Sequence, residues 1–559
     1  MGVSKVSFLI KARHSFHRFE KVNYLTYFNR FPILKPIPSR GPLVSKARLA
    51  SLDIVGGIFY LAERASLWSR VLVRTLTLGV LFVPCLLSFP VWYLGLRPSE
   101  DRPASMWWLN YLVWTLEASG PTWIKIGQWA SSRTDLFPPW ACEVLSKLQA
   151  DIHPHPFRYT RRVIESRLGG KLEDFFETFD PTPVGIGAVA QVYKAKLKNH
   201  TDEKVAVKVL HPYIRPMVEL DLIIMHTVAS AIEYIVPDSH WLSLPLEVEI
   251  FGGMMRQQLD LSLEGKNLYQ FNKNFQEWSN IGFPSPESSF NSSDILIESW
   301  IDGIPMQKVL NWNGTVYDRQ IATLGLTSFL KMMLLDNHLH ADLHPGNILV
   351  NFQNVNGEFL SEAQVYRLAQ MPDRDEWNMA MENMYNQDFK PYLFYLDAGL
   401  TCSLEPPHLK NFIDLFSAII EFDGSLISSL MVERSKTPWS VVDFDEFAKS
   451  MQNFMDDIKK NTFSLQRMEV SDILHFVFST VRRHHVKIDG EFANLGVAIM
   501  LMEGVGKRLD DQMDLLKASV PFLREAVKLR LQGHISENER GFVSYWKSEI
   551  KKLWGKLVY

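Results

Sequence analysis

HADLHPGNILV, residues 340–350, sets His340, Asp342 and His344 within five residues, with His338 just upstream. Imidazoles and carboxylates at such short spacing are ligands that zinc prefers, so one reading is a metal cluster. A second reading keeps other letters of the same stretch: His340, Asp342, Leu343 and Asn347. An Asp that orients or deprotonates an acceptor, followed five residues later by an Asn that holds magnesium, is the layout of a phosphoryl-transfer loop. The metal reading needs further distant ligands that the sequence does not assign. The phosphoryl-transfer reading needs companions in a fixed order.

Three companions stand in that order. Val205-Ala206-Val207-Lys208 matches a strand whose lysine pairs with the α- and β-phosphates of ATP. Upstream, Gly185-Ile186-Gly187-Ala188-Val189-Ala190 approximates the glycine-rich turn that covers phosphates with backbone N–H groups, without its last glycine. Downstream, Asp397-Ala398-Gly399 stands where D-F-G belongs and offers a second magnesium ligand. Together these outweigh the metal reading. They assign Asp342 and Lys208 to catalysis, Asn347 and Asp397 to Mg²⁺, and Gly185, Gly187, Ala188 and Val189 to the nucleotide.

The wording is not that of ordinary protein kinases, since Ala341 replaces the Arg of H-R-D. HADLHPGN resembles the H-A-D-P-H-P-G-N signature of the UbiB/aarF-type atypical kinase-like family. Residues 120–139, GPTWIKIGQWASSRTDLFPP, resemble its K-x-G-Q-x-x-S-x-R-x-D-L-x-P signature at Lys125, Gly127, Gln128, Ser131, Arg133 and Asp135. The resemblance runs from about residue 105 to 500 and implies an α+β, divergent two-lobed kinase-like fold with an N-terminal helical extension. It further implies that Lys125 and Gln128 lie on a helix over the nucleotide site, blocking the groove for a protein substrate. Glu264 would pair with Lys208, and Glu298 to Trp300 would form a hinge whose backbone binds adenine. The family is tied to coenzyme Q biosynthesis and lipid handling, and the basic start and long insertion are similar to its mitochondrial members. Three departures stand out: glycines in place of an alanine-rich loop, Gln258-Leu259-Asp260 in place of E-L-D, and no A-P-E after Asp397.

The rest of the chain supplies the setting. A net charge of -3 gives no case for nucleic acid, and Cys85, Cys142 and Cys402 are too far apart in sequence for a CxxC site. Before Asp53 one acid, Glu20, faces ten Lys or Arg residues, as in a mitochondrial transit segment (1–50). An anchor region, 51–104, holds 22 uncharged residues between Arg74 and Arg97, and 76–96 is long enough to span a bilayer, with Trp92 and Tyr93 at its end. That predicts a single-pass protein of the mitochondrial inner membrane, with membrane lipids and coenzyme Q biosynthesis proteins or intermediates as partners. The remaining segments are a helical extension (105–178), an N-lobe and hinge (179–303), a C-lobe (304–510) and a helical tail (511–559). Residues 217–235 and 247–272 read as helices, and the chain from about 316 reads as helical almost to its end. Residues 351–391 read as an exposed, mobile polar insertion. Two rivals to an ATPase or small-molecule phosphotransferase remain: a non-catalytic ATP-sensing scaffold and a metal-dependent hydrolase.

Overall fold

The computed structural model describes residues 66–89 and, with short gaps, 103–525. The transit segment, Trp92, Tyr93, Arg133, Asp135 and the tail beyond 525 lie outside the described residues. The chain divides at Ser69/Arg70 into two units, and of the first only residues 66–69 are described.

Helix α1 (Ser66–Phe89) contains an 18-residue window with a mean hydropathy of 2.0. It begins ten residues before the predicted span and runs through Pro84, with Arg74 inside it. Arg74 is accommodated because it donates to both carboxylate oxygens of Asp221 (2.7 and 2.9 Å) and to the Ser119 carbonyl (2.7 Å). Leu78 and Cys85 on the same side are buried, whereas Leu72, Val80 and Leu87 are exposed. Gly120, at φ 101°, turns α2 (Pro103–Ser119) into α3 (Pro121–Ser132). A Cβ on Gly127 would lie 2.1 Å from Leu148 Cδ1, so only glycine lets α3 approach that segment so closely. Helices α4 (Pro139–Leu145), α5 (Phe157–Leu168) and α6 (Leu172–Phe175) complete the extension.

The N-lobe sheet is built from β1 (Phe176–Phe179), β2 (Gly185–Ile186), β3 (Ala190–Leu197), β4 (Lys204–Leu210) and, after the helices and a short β5, β6. Helices α7 (Ile214–Ile235), α8 (Leu244–Gln258) and α9 (Leu261–Asn274) precede β5 (Ile281–Gly282) and β6 (Ile295–Ser299). The order is β1-β3-β4-β6, with β2 paired to β3. Strand alternation decides its two faces: Val205, Val207 and Val209 join a core with Tyr193 and Ile297, while Ala206 and Lys208 turn the other way. The single helix expected over 247–272 is two. The break falls at Leu259-Asp260, where the Asp260 carboxylate accepts from the Ser262 N–H (3.0 Å) and caps α9.

The C-lobe is not continuously helical either. It contains β7 (Ile304–Pro305), α10 (Met306–Asn311), α11 (Asp318–Leu330), β8 (Leu339–His340) and β9 (Ile348–Gln353). There follow α12 (Glu362–Ala369), α13 (Arg374–Asn386), β10 (Lys390–Tyr395) and β11 (Thr401–Cys402). Five helices complete the described lobe: α14 (Pro406–Ile420), α15 (Gly424–Glu433), α16 (Phe444–Phe463), α17 (Val470–Arg483) and α18 (Gly490–Leu509). One small sheet has the order β5-β10-β9-β7, and β8 pairs with β11. These strands are short, which is why their alternation is lost among the flanking helical signals.

The 351–391 segment corrects another expectation: it is folded. Val365 and Leu368 of α12, and Trp377 and Met381 of α13, are buried in the main core. Their three- and four-residue spacing is a helical stripe that the polar composition hides. Glu362, at the start of α12, pairs with Lys194 on β3 and Lys204 on β4, tying the insertion to the N-lobe.

Candidate active site

Lys208 enters the cleft from β4, opposite Leu296 of β6, and is met by Glu264 from the first turn of α9. Its Nζ lies 2.8 and 2.9 Å from the two Glu264 oxygens and 3.2 Å from Asp397 Oδ1. Burial alone would lower the lysine pKa, but Asp397 and then Glu264 outweigh it and hold the ammonium above its usual value. Burial raises Glu264 to about 7 despite Lys208, whereas at Asp397, whose side chain is 48% exposed, Lys208 and Lys125 outweigh desolvation and hold the carboxyl well below the usual carboxylate range. The lysine is therefore a fixed cation, ready to meet phosphate oxygens.

The catalytic-loop residues are positioned by backbone pairing. Ala341 donates to the Leu400 carbonyl (3.0 Å), continuing the β8–β11 pair beside His340–Thr401. The six-residue β9–β10 register, from Ile348–Tyr395 to Gln353–Lys390, brings together the ends of the segments that carry Asn347 and Asp397. Leu396 then donates to the Asn347 carbonyl (2.8 Å), so residues 49 apart in sequence become neighbours. The same register puts the insertion at the far end of the ladder, about 20 Å away at 3.4 Å per residue. Asp397 has φ 53°, a left-handed conformation that Asp tolerates better than most residues. Asn267 of α9 fixes the next peptide by donating to the Ala398 carbonyl (2.9 Å).

Asp342 faces Lys125 of α3, with Nζ and Oδ2 3.8 Å apart. Asn347 Nδ2 donates to the Asp342 carbonyl (3.0 Å), which leaves its side-chain oxygen as the ligand-type atom. That oxygen and the Asp397 carboxylate are hard donors that suit Mg²⁺, which takes few protein ligands and completes its shell with phosphates and water. Gln128 is turned aside: its Nε2 donates to the Leu148 carbonyl (3.2 Å). Lys125, Gln128 and Asp342 nonetheless line one cleft of about 700 Å³, whose far wall includes Met254 of α8 and Val497 of α18.

The histidines of the opening stretch hold structure. His340 is buried, donates from Nε2 to the Leu396 carbonyl (2.9 Å) and accepts the Asp342 N–H at Nδ1 (3.3 Å). His344 Nδ1 accepts the Gly346 N–H (3.1 Å), and the His338 ring lies 4.5 Å from that of Phe271. Among the described residues no trio of His, Cys, Asp or Glu forms a metal cluster.

Other residues of the site had no motif to announce them. At the glycine-rich turn, Gly187 donates to the Ala190 carbonyl (2.8 Å), and Ala188 and Val189 lie between these two residues. His211 holds this turn from below: its N–H bonds the Val189 carbonyl and its Nε2 the Gly187 carbonyl, both at 2.9 Å. His155 Nδ1 lies 2.9 Å from His211 Nδ1, and burial keeps both imidazoles below their ordinary pKa. The Ser299 and Trp300 N–H groups already bond Ser285 and Lys204 carbonyls, while the Glu298 side chain is buried with Oε2 unpaired. Burial, then Glu264, raises Glu298 to about 8. The Trp300 indole donates to Asp302 (2.8 Å) and lies 4.5 Å beneath the Lys194 ammonium.

Comparison with known proteins agrees with this architecture. Residues 147–431 match the ABC1 atypical kinase-like domain and residues 451–514 the UbiB helical domain. A mitochondrial ABC1 family protein of Schizosaccharomyces pombe is 37% identical over 495 residues, 82% of this chain and 71% of that one. A mitochondrial ABC1 family protein of Saccharomyces cerevisiae is 34% identical, covering 81% and 74%. A probable protein kinase UbiB of Vibrio vulnificus is 29% identical, covering 78% and 74%. Among solved structures, Rv3197 of Mycobacterium tuberculosis in complex with erythromycin aligns at 18% identity over 64% of this chain and 80% of that one, with a TM-score of 0.41. With both domains in order and a relative above 30% identity across most of its length, the chain belongs to the ABC1/UbiB atypical kinase-like family.

Proposed function

We propose that this protein binds Mg²⁺-ATP and hydrolyses it or transfers its γ-phosphoryl group to a small molecule, in mitochondrial coenzyme Q or lipid metabolism. The observation that carries the reading is Lys208 held between Glu264 and Asp397, while Lys125, which faces Asp342, also acts on Asp397. Lys208 would bind phosphate oxygens and Asp342 would orient the acceptor hydroxyl or water and take up its proton. Mg²⁺, held by Asn347 and Asp397, would supply a counter-charge for the developing phosphate negative charge. Lys125 and its helix α3 stand over Asp342, which favours a small acceptor over a polypeptide. The setting is drawn from the mitochondrial relatives, and the exposed apolar side of α1 supports contact with membrane lipid.

The Lys125–Asp342 contact also favours a second reading, in which the catalytic carboxylate is masked and the protein only senses nucleotide. ADP release by the full chain, compared with Asp342→Asn, separates the two. Turnover that falls by about a hundredfold or more in the variant supports catalysis. Nucleotide binding with no turnover in either protein supports the sensing role and contradicts catalysis.

A further inference from the structure

Glu298 is 9% exposed, and its buried Oε2 has no hydrogen-bond partner. A buried carboxyl oxygen left unpaired costs stability unless it serves a ligand. Its place on the sheet indicates which part of a ligand it would meet. Lys208 marks the phosphate end of β4. Two residues earlier Ala206 turns to the same face and pairs with Glu298 across the ladder. Beyond Glu298 the chain leaves β6 through Ser299 and Trp300 toward the C-lobe. Glu298 thus sits on the inner wall between the phosphate lysine and the interlobe link, about 7 Å from Lys208 along the strand direction. A nucleotide with its phosphates at Lys208 extends its base past Ala206, whose methyl group leaves room for a flat ring. The edge of that ring then faces Glu298.

The charged groups acting on Glu298 are Glu264, Lys208 and Asp397, and none of them bonds Oε2. The nucleobase edge can supply the missing donor. Adenine carries an exocyclic amine, whereas guanine and hypoxanthine carry at the same ring carbon a carbonyl oxygen, whose lone pairs would oppose those of the ionised carboxylate. We propose that Glu298 is a specificity-determining residue that selects adenine by accepting a hydrogen bond from its exocyclic amine. This inference rests on the nucleotide reading above. It adds a base-reading group that is neither a hinge amide nor a phosphate ligand.

The test is competition binding to the full chain, above pH 8 so that Glu298 is ionised, of Mg²⁺ complexes of ATP, GTP, ITP and purine riboside triphosphate, which lacks the amine. Wild type should prefer ATP over each of the others by about tenfold or more, the range for one buried hydrogen bond to a site built for it. Glu298→Met should compress the preference to within about twofold. Glu298→Gln, whose amide can turn its NH₂ toward a carbonyl oxygen, should gain affinity for GTP and ITP relative to ATP. Should the Met variant fail to fold, the wild-type ratios and the Gln variant carry the test. Equal binding of ATP and GTP by wild type, or a preference unchanged in the folded variants, overturns the base assignment while leaving nucleotide binding intact. Binding of no nucleotide at all overturns the nucleotide reading, and the base assignment with it.

Discussion

Two lysines from different elements act on Asp397 and are held very differently. The Lys208 side chain is 11% exposed, sits on a central strand and touches two carboxylates within 3.2 Å. The Lys125 side chain is 22% exposed, comes from a helix outside the two lobes and lies 3.8 Å from one carboxylate. The first pair is built into the core, with Glu264 presented by a capped helix and Lys208 by a five-stranded sheet. The second is a contact across a cleft. A fixed cation suits phosphate binding, and a loosely held one suits a cover that can be displaced.

The largest expected effect breaks the fixed pair. Lys208→Met leaves Glu264 and Asp397 facing each other without a counter-ion. It should abolish nucleotide turnover and cost about 3 kcal/mol in urea unfolding, the scale for removing one partner of a buried pair. Lys125→Met should cost less than about 1 kcal/mol, because its pair is partly solvated. Equal losses in the two variants would erase the distinction. Gly127→Ala probes how the cover is seated. With Leu148 in the way of a new Cβ, α3 must shift, and a stability loss of about 1–3 kcal/mol is expected. An unchanged melting temperature would mean that α3 is not so tightly packed.

A smaller effect concerns pH. Burial raises Glu264 to about 7 and Glu298 to about 8, against an ordinary value of about 4.3. The folded protein therefore keeps protons that the unfolded chain has released. The stability from these protons is complete below about pH 4.3 and is lost as the pH rises toward 8. Glu298→Gln should flatten the fall in melting temperature between pH 5 and 8. A slope as steep as that of wild type would assign the fall to other groups.

Much of the site was legible because its residues occupy fixed spacings within short loops. His340 to Asn347, Val205 to Lys208 and Asp397 to Gly399 need only local sequence to be read. What escaped depends on contacts distant in sequence. The pairing of Asn347 with Asp397 emerges from the β9–β10 register, and the His211 support of the glycine turn from a hydrogen bond across 24 residues. The 351–391 segment was misread because its polar majority outweighs the few buried positions, chiefly Trp377 and Met381, that fold it. The membrane-length helix was placed too late because Arg74 ended the uncharged run, although its ion pair with Asp221 lets the helix continue through it. Glu298 was read for its backbone, since no sequence pattern tells which face of β6 turns toward the cleft.

The central claim is that Lys208 and Asp397 form a Mg²⁺-nucleotide site. Its most direct test is thermal unfolding of the full chain with and without Mg²⁺-ATP, beside Asp397→Ala. At 100 times its dissociation constant the ligand should add about 2.7 kcal/mol to native stability. A clear rise in the wild-type midpoint that shrinks in the folded variant is the predicted result. No rise at millimolar Mg²⁺-ATP, or an equal rise in both proteins, would contradict the account.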